Sequence, residues 1–245
     1  MESRGKQPAF FFDFDGTLVN IAATPGDVRL KMITRQILEG IAEEYPVGVI
    51  SGRKLDELKR LVGIRGLYYS GNHGVEIEGA GLDFVEPVSA RSSAYITCLG
   101  KSMASALSKF SPRINSKKYS VSVHYRNVEA SLVRGLLRRV DELLEEPLLK
   151  RQIEVFHGKK VVEIKAPVDW DKGKAIELIC RKIGRNSVPV FFGDDTTDEY
   201  GFRAVNKIGG VSVFVGKRHR QTDARFWVKS PSELAGELAK FLFEA

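Results

Sequence analysis

Phe10-Phe11-Phe12-Asp13-Phe14-Asp15-Gly16-Thr17-Leu18 is the stretch that decides the fold. Three aromatics in a row behind Ala9 read as a strand buried on both faces. The strand runs into two carboxylates two residues apart, which project to one side while the chain stays extended. Two carboxylates that close repel each other, which calls for a bound cation or a shared proton. Gly16 lets the backbone turn away, and Thr17 adds a hydroxyl. This is the pattern of a divalent-metal site at the carboxyl end of a parallel strand, where open α/β sheets place their ligands. A calcium loop starting at Asp13 would need Gly at its sixth position and Glu at its twelfth. Leu18 and Thr24 stand there instead. The other alternative on these residues alone is an Asp-rich turn that caps the next element.

The 245 residues are enough for one large domain or two small ones. A hydrophobic content of 43% and a charged content of 28% are those of an ordinary soluble chain. No apolar run reaches the length of a membrane span, and Met1 to Pro8 lacks the apolar core of a signal peptide. Cys98 and Cys180 are isolated, so reduced thiols in a cytoplasmic protein are expected. His73, His124, His157 and His219 form no zinc-type spacing. The net charge of +7 admits an anionic small substrate or a nucleic acid. The densest basic run, Lys217 to Arg220, is short and lacks aromatics, which favours a solvated loop over a nucleic-acid patch.

Outward from the first strand, Asn20 to Pro25 reads as a loop. Leu30, Ile33, Ile37, Ile41 and Tyr45 predict a helix over 27–45, capped by Asp27. Val47 to Ile50 is a buried strand ending in Ser51-Gly52-Arg53, and a helix follows over 54–62. Its start offers N–H groups to an anion; alternatively Ser51 caps it. Leu67 to Ser70 is a strand that ends in Gly71-Asn72-His73-Gly74. A hairpin over 75–77 and 82–85 comes next.

The rhythm then changes. A helix over 91–110 has Tyr95, Leu99, Met103, Ala106 and Phe110 on one stripe. A strand over 118–126 alternates, with Tyr119, Val121, Val123 and Tyr125 on one side and Ser120, Ser122, His124 and Arg126 on the other. A helix over 129–145 and strands over 153–156 and 161–165 follow, with a further strand near Ile114. This order predicts a small α+β domain inserted into the larger sheet domain. The first rhythm returns with a helix from Asp171-Lys172-Gly173 to Ile183. A strand over 188–192 ends in Gly193-Asp194-Asp195-Thr196-Thr197-Asp198-Glu199, before a short helix over 197–205. Strands over 211–215 and 226–228 and a closing helix from Pro231 to Phe243 complete the chain.

Four element ends therefore carry groups that make chemical sense together: Asp13 with Asp15, Ser51, Lys172, and Asp194 with Asp195 and Asp198. Carboxylates are hard oxygen ligands for magnesium, which bridges to phosphates. A lysine and a hydroxyl serve phosphate oxygens. Phosphoryl transfer needs charge neutralisation, positioning and an in-line nucleophile.

In motif order and spacing the chain resembles the haloacid-dehalogenase superfamily of phosphatases, over nearly its whole length. Asp13-x-Asp15-Gly-Thr, Ser51, Lys172 and Gly193-Asp194-Asp195-x-x-Asp198 match the four motifs. Ser51-Gly-Arg53, Gly71-Asn72-His73-Gly, His124-Tyr-Arg126, Gly158-Lys159-x-x-Val-Glu163, Trp170-Asp-Lys172-Gly-Lys and the Asp198-Glu199 ending together resemble the trehalose-6-phosphate phosphatases. The resemblance implies an α/β fold: a Rossmann-like core with a parallel sheet over 1–86 and 166–245, and a C2-type cap over 87–165. It implies magnesium as cofactor, with Asp13 and Asp194, the backbone carbonyl of Asp15, and Asp195 and Asp198 as ligands or supports. Asp13 is the implied nucleophile and Asp15 the acid and base, while Ser51, Gly52 and Lys172 bind phosphate. Arg126, Lys159 and Glu163 fall on cap positions that contact the distal glucose. Arg53, Asn72 and His73 stand beside them as substrate contacts, with an ion pair for Arg53 and a tight-turn role for the other two as alternatives. The implied partner is a sugar phosphate supplied by a trehalose-6-phosphate synthase, with no nucleic acid or membrane partner and a monomeric state. Other capped sugar-phosphate phosphatases, acting on sucrose phosphate or mannosyl-phosphoglycerate, are the nearest rivals, and a sugar-phosphate sensor without turnover is a rival from another class.

Overall fold

The triple phenylalanine forms a central strand in the computed structural model, which describes residues 6–21, 28–87, 90–167, 169–184, 186–217 and 221–244. From the amino terminus the elements are β1 (Gln7–Phe12), α1 (Met32–Glu44), β2 (Val47–Ile50), α2 (Leu55–Val62), β3 (Tyr68–Gly71), β4 (Glu76–Gly79) and β5 (Leu82–Val85). Next come α3 (Ala90–Ala106), β6 (Arg113–Ser116), β7 (Ser120–His124), α4 (Ala130–Leu149), β8 (Glu154–Gly158) and β9 (Val161–Lys165). The chain ends with α5 (Lys172–Ile183), β10 (Ser187–Gly193), α6 (Glu199–Lys207), β11 (Val211–Val215), β12 (Phe226–Val228) and α7 (Pro231–Glu244).

The chain divides into two compact units, residues 1–86 with 170–245, and residues 87–169. The first holds an eight-stranded sheet ordered β12-β11-β10-β1-β2-β3-β4-β5, parallel as far as β3 and antiparallel through the last hairpin. Alternation along β1 sends Phe10 and Phe12 into one apolar layer with Ile37, Leu38 and Ile41 of α1, Leu58 of α2 and Leu234 of α7. Phe11 enters the opposite layer with Ala175, Ile176 and Ile179 of α5 and Phe202 of α6. A strand covered on both faces has no solvent side for polar residues, which is why three aromatics stand in succession. Phe12 also stacks on Phe192 of β10, with ring centroids 5.0 Å apart.

The second unit is a four-stranded antiparallel sheet ordered β6-β7-β9-β8. One face, with Ile114, Val121, Val123, Val155, Val162 and Ile164, packs with Ile96 and Met103 of α3 and Leu136 and Val140 of α4.

Several boundaries move. Helix α1 starts at Met32 rather than 27, and its buried stripe is Thr34, Ile37, Leu38 and Ile41. Ile33, expected inside, is 59% exposed, because one helical step of 100° turns it off the stripe that Thr34 occupies. Helix α3 stops at Ala106, and a 3-10 turn over Ser108–Phe110 takes its place. Helix α4 continues through Pro147 to Leu149. Ser120 and Ser122, on the side of β7 opposite Val121 and Val123, are buried as well. The register sets Ser122 between the longer Asn115 and Glu163. The expected cap Asp27, most of the 20–25 loop, His219 and the last three residues of the basic run lie outside the described residues. Among the described residues no helix is long and apolar enough to cross a membrane.

Candidate active site

The carboxyl ends of three neighbouring parallel strands, β10, β1 and β2, bring the polar groups together. Lys172 opens α5, which Asp171 caps by accepting from the Lys174 N–H at 3.0 Å. A capped first turn fixes the direction of the lysine side chain. Lys172 is 3% exposed, and its Nζ donates to Asp13 Oδ1 and to Asp198 Oδ1, each at 2.7 Å. The other oxygen of Asp198 accepts from the N–H groups of Asp194 and Asp195, each at 2.9 Å. Asp198 thus ties the loop after β10 to the lysine and is fully buried.

Asp13, Asp194 and Asp198 offer carboxylate oxygens that lie within 4.8 Å of one another. Gly16 makes that approach possible. Its φ is +100°, and a Cβ there would stand 2.2 Å from Asp194 Oδ2. Any side chain at 16 would displace the carboxylate and strain the backbone.

Asp15 does not join this cluster. β1 ends at Phe12, so the extended geometry that would align Asp15 with Asp13 is lost within one residue. The Asp15 carboxylate turns to Arg53, accepting from Nε at 2.6 Å and from Nη2 at 2.7 Å. Arg53 also pairs with Glu57 and lies 5.4 Å from the Phe14 ring centroid. Asp195 caps the 3-10 turn over Thr196–Asp198, accepting from the Thr196 N–H at 2.6 Å.

Ser51 is buried, and its Oγ accepts from the Arg53 N–H at 3.2 Å. It caps no helix: Lys54 stands at the α2 N-cap position. The loop after β3 clamps this segment. The Asn72 N–H donates to the Arg53 carbonyl at 2.7 Å and the His73 N–H to the Ser51 carbonyl at 2.9 Å. Both residues have positive φ, 51° and 60°. A Cβ on Gly52 would lie 2.5 Å from the His73 ring, so glycine is needed for the two loops to meet. Asn72 Nδ2 donates to Glu76 Oε2 at 3.0 Å.

Arg126, Lys159 and Glu163 lie in the second unit. Arg126 donates through Nη2 to the Lys159 carbonyl at 3.2 Å, which joins the end of β7 to the β8–β9 turn. Glu163 is half-buried on β9, with Ser122 and Phe156 in register on either side.

Burial works to lower the Lys172 pKa, but the charges of Asp13 and Asp198 outweigh it and hold the ammonium charged well above its usual range. Burial pushes the Asp13 carboxyl well up, against the downward pull of Lys172, and the Asp198 and Asp194 charges add to the rise. Buried carboxylates that converge this closely repel one another, and a bound cation relieves that repulsion. The hard oxygen donors suit magnesium.

Sequence reasoning missed three supports. Glu57 stands four residues after Arg53, a spacing readable on a helix. The Gly16–Asp194 approach and the Trp170 indole, which donates to the Gly74 carbonyl at 2.6 Å, are long-range and left no local signal.

The trehalose-phosphatase family profile matches residues 11–232. The chain belongs to the trehalose-phosphatase family. It is 32% identical to a maize protein named trehalose 6-phosphate phosphatase RA3, across 97% of this chain and 70% of that one. It is 31% identical to a rice protein named probable trehalose-phosphate phosphatase 4, over 95% of this chain, and spans 65% of that relative's length. Among solved structures, the C-terminal domain of trehalose-6-phosphate phosphatase from C. albicans superposes with a TM-score of 0.83 at 21% identity, across 97% of this chain and 92% of that one. At that identity the likeness concerns the fold, which is haloacid-dehalogenase-like.

Proposed function

We propose that the protein hydrolyses trehalose 6-phosphate to trehalose and phosphate. The observation that carries this reading is the buried convergence of Asp13, Asp194 and Asp198, with Lys172 bound to Asp13 and Asp198, in a chain of the trehalose-phosphatase family.

An Asp13 oxygen attacks phosphorus, the bond from phosphorus to the sugar oxygen breaks, and Asp15 gives that oxygen its proton. In the second step Asp15 takes a proton from water, whose oxygen attacks the same phosphorus and releases the Asp13 carboxylate. One group serves both steps because their proton demands are opposite. The bidentate hold of Arg53 orients Asp15 for this work. Asp13, Asp194 and Asp198 would hold magnesium, which when bound neutralises charge on the phosphate oxygens. Asp195 supports the loop as a cap, and the Asp15 side chain, held by Arg53, is left out of the ligand set. Ser51, Gly52 and Lys172 receive the phosphate.

Asn72 and His73 act as positioning residues through their hold on the Ser51–Arg53 backbone. Arg126, Lys159 and Glu163 recognise the sugar from the second unit, where a half-buried carboxylate accepting from hydroxyls discriminates strongly. The substrate comes from a trehalose-6-phosphate synthase, and the protein acts as a cytoplasmic monomer.

The test is phosphate release from trehalose 6-phosphate with and without magnesium, beside sucrose 6-phosphate and glucose 6-phosphate. Release confined to trehalose 6-phosphate and abolished by chelation is expected. A preference for either other ester would reassign the substrate, and undiminished release after chelation would remove the metal.

A further inference from the structure

Strand β8 breaks the pattern of its own sheet. Its neighbours in the unit send mostly apolar residues to the helix-covered face and mostly polar ones to the other, with Ser116 and Val161 as exceptions. On β8, Val155 packs into the core, yet His157, on the same face, is exposed. Phe156 points to the polar face, where alternation calls for a polar residue, and is half-buried there. An aromatic ring set among polar side chains on a half-buried face offers a surface for contact.

Register shows what surrounds it. Asn115 pairs with Ser122, Ser122 with Glu163, and Glu163 with Phe156, so four strands lay an amide, a hydroxyl, a carboxylate and an aromatic ring in one row. Lys165, next along β9 on that face, carries its Nζ over the Phe156 ring, 4.5 Å from the centroid. A flat apolar surface beside hydroxyl acceptors and donors matches a pyranose, whose ring C–H groups are apolar and whose rim is hydroxylated.

We propose that Phe156 is the apolar platform on which the sugar of the substrate rests, beside Glu163 and Lys165. This rests on the sugar-phosphatase reading above and adds to it a specificity-determining residue on the edge strand of the second unit. Its contribution is contact through the ring, so replacement by an aliphatic side chain does not restore it.

The test uses the whole chain and four forms, wild type, Phe156→Ala, Phe156→Leu and Phe156→Tyr, assayed on trehalose 6-phosphate and on p-nitrophenyl phosphate. Phe156→Ala and Phe156→Leu are each expected to raise KM for trehalose 6-phosphate about tenfold, the scale of one aromatic contact. Both should lose far less on the aryl ester, which doubles as the check that each variant folds, and Phe156→Tyr should keep the wild-type KM. A Phe156→Leu protein with wild-type KM would reduce the ring to packing, and equal losses on both esters would remove it from sugar recognition. If the wild type turns over another sugar phosphate instead, the substrate reading fails, and the same variants on that ester decide the platform. If no sugar phosphate is turned over, both fall.

Discussion

The two units of this protein handle charge in opposite ways. Residues 87–169 carry 15 Lys and Arg against 8 Asp and Glu, and the remaining residues carry 23 against 23, so the whole net charge of +7 belongs to the smaller unit. The neutral unit buries its critical charges and binds them to one another: Lys172, Asp13, Asp194 and Asp198 are each at most 5% exposed. The basic unit leaves Arg126 and Lys159 exposed. Buried charges are expensive and persist only where partners hold them, which makes the first set pre-organised for chemistry. Exposed charges are screened and mobile, and gain order from a ligand. Chemistry and recognition are thus expected to respond differently to mutation.

The largest effect should come from the buried set. Asp13→Asn is expected to lower turnover of trehalose 6-phosphate and of p-nitrophenyl phosphate alike, by at least about 10³-fold. Initial rates on both esters check it, and substantial residual hydrolysis would rule out the covalent route. Magnesium gives a second readout. It should raise the melting temperature of the wild type and fail to do so in Asp194→Asn, since a ligand stabilises only the fold that binds it. An equal rise in both proteins would take Asp194 out of the metal site.

An intermediate effect belongs to the basic unit. Glu163→Ala should cost about 10²-fold in kcat/KM on trehalose 6-phosphate and far less on the aryl ester. Equal losses on the two would blur the division of labour between the units.

The smallest effect sharpens the comparison from within the basic unit. Burial lowers the pKa of His124; the Glu163 carboxylate opposes this, and Arg113, Lys117 and Arg126 add to it. A base with a depressed folded-state pKa favours folding above its ordinary value near 6.5. That stability is lost as pH falls below 6.5 through the depressed value, because the unfolded chain binds the proton first. The melting temperature of the wild type should fall over this window more than that of His124→Asn. Parallel curves would show that His124 titrates alike in both states.

Much of this architecture was readable in the letters. The run of Phe10, Phe11 and Phe12 declares a strand covered on both faces, and the return of buried strands after residue 170 declares one sheet interrupted by an insertion. Periodicity misplaced the start of α1 because Leu30 is buried without being helical. It put Ser120 and Ser122 on one side of their strand without showing that they are buried, since alternation reports side and not depth.

The sequence by itself determined that acids and a lysine stand at strand and helix ends, because alternation, capping and the triple aromatic are local properties of the chain. Which acids converge was decided only by tertiary structure. Asp13 and Asp15 look equivalent two residues apart, but the strand ends at Phe12, just before them, and the Arg53 guanidinium from the segment after β2 captures the second. Asp194 reaches the first because Gly16, 178 positions earlier, has no side chain to block it. Close approach between segments so distant in sequence is a matter of excluded volume, and excluded volume between distant segments exists only once the chain has folded.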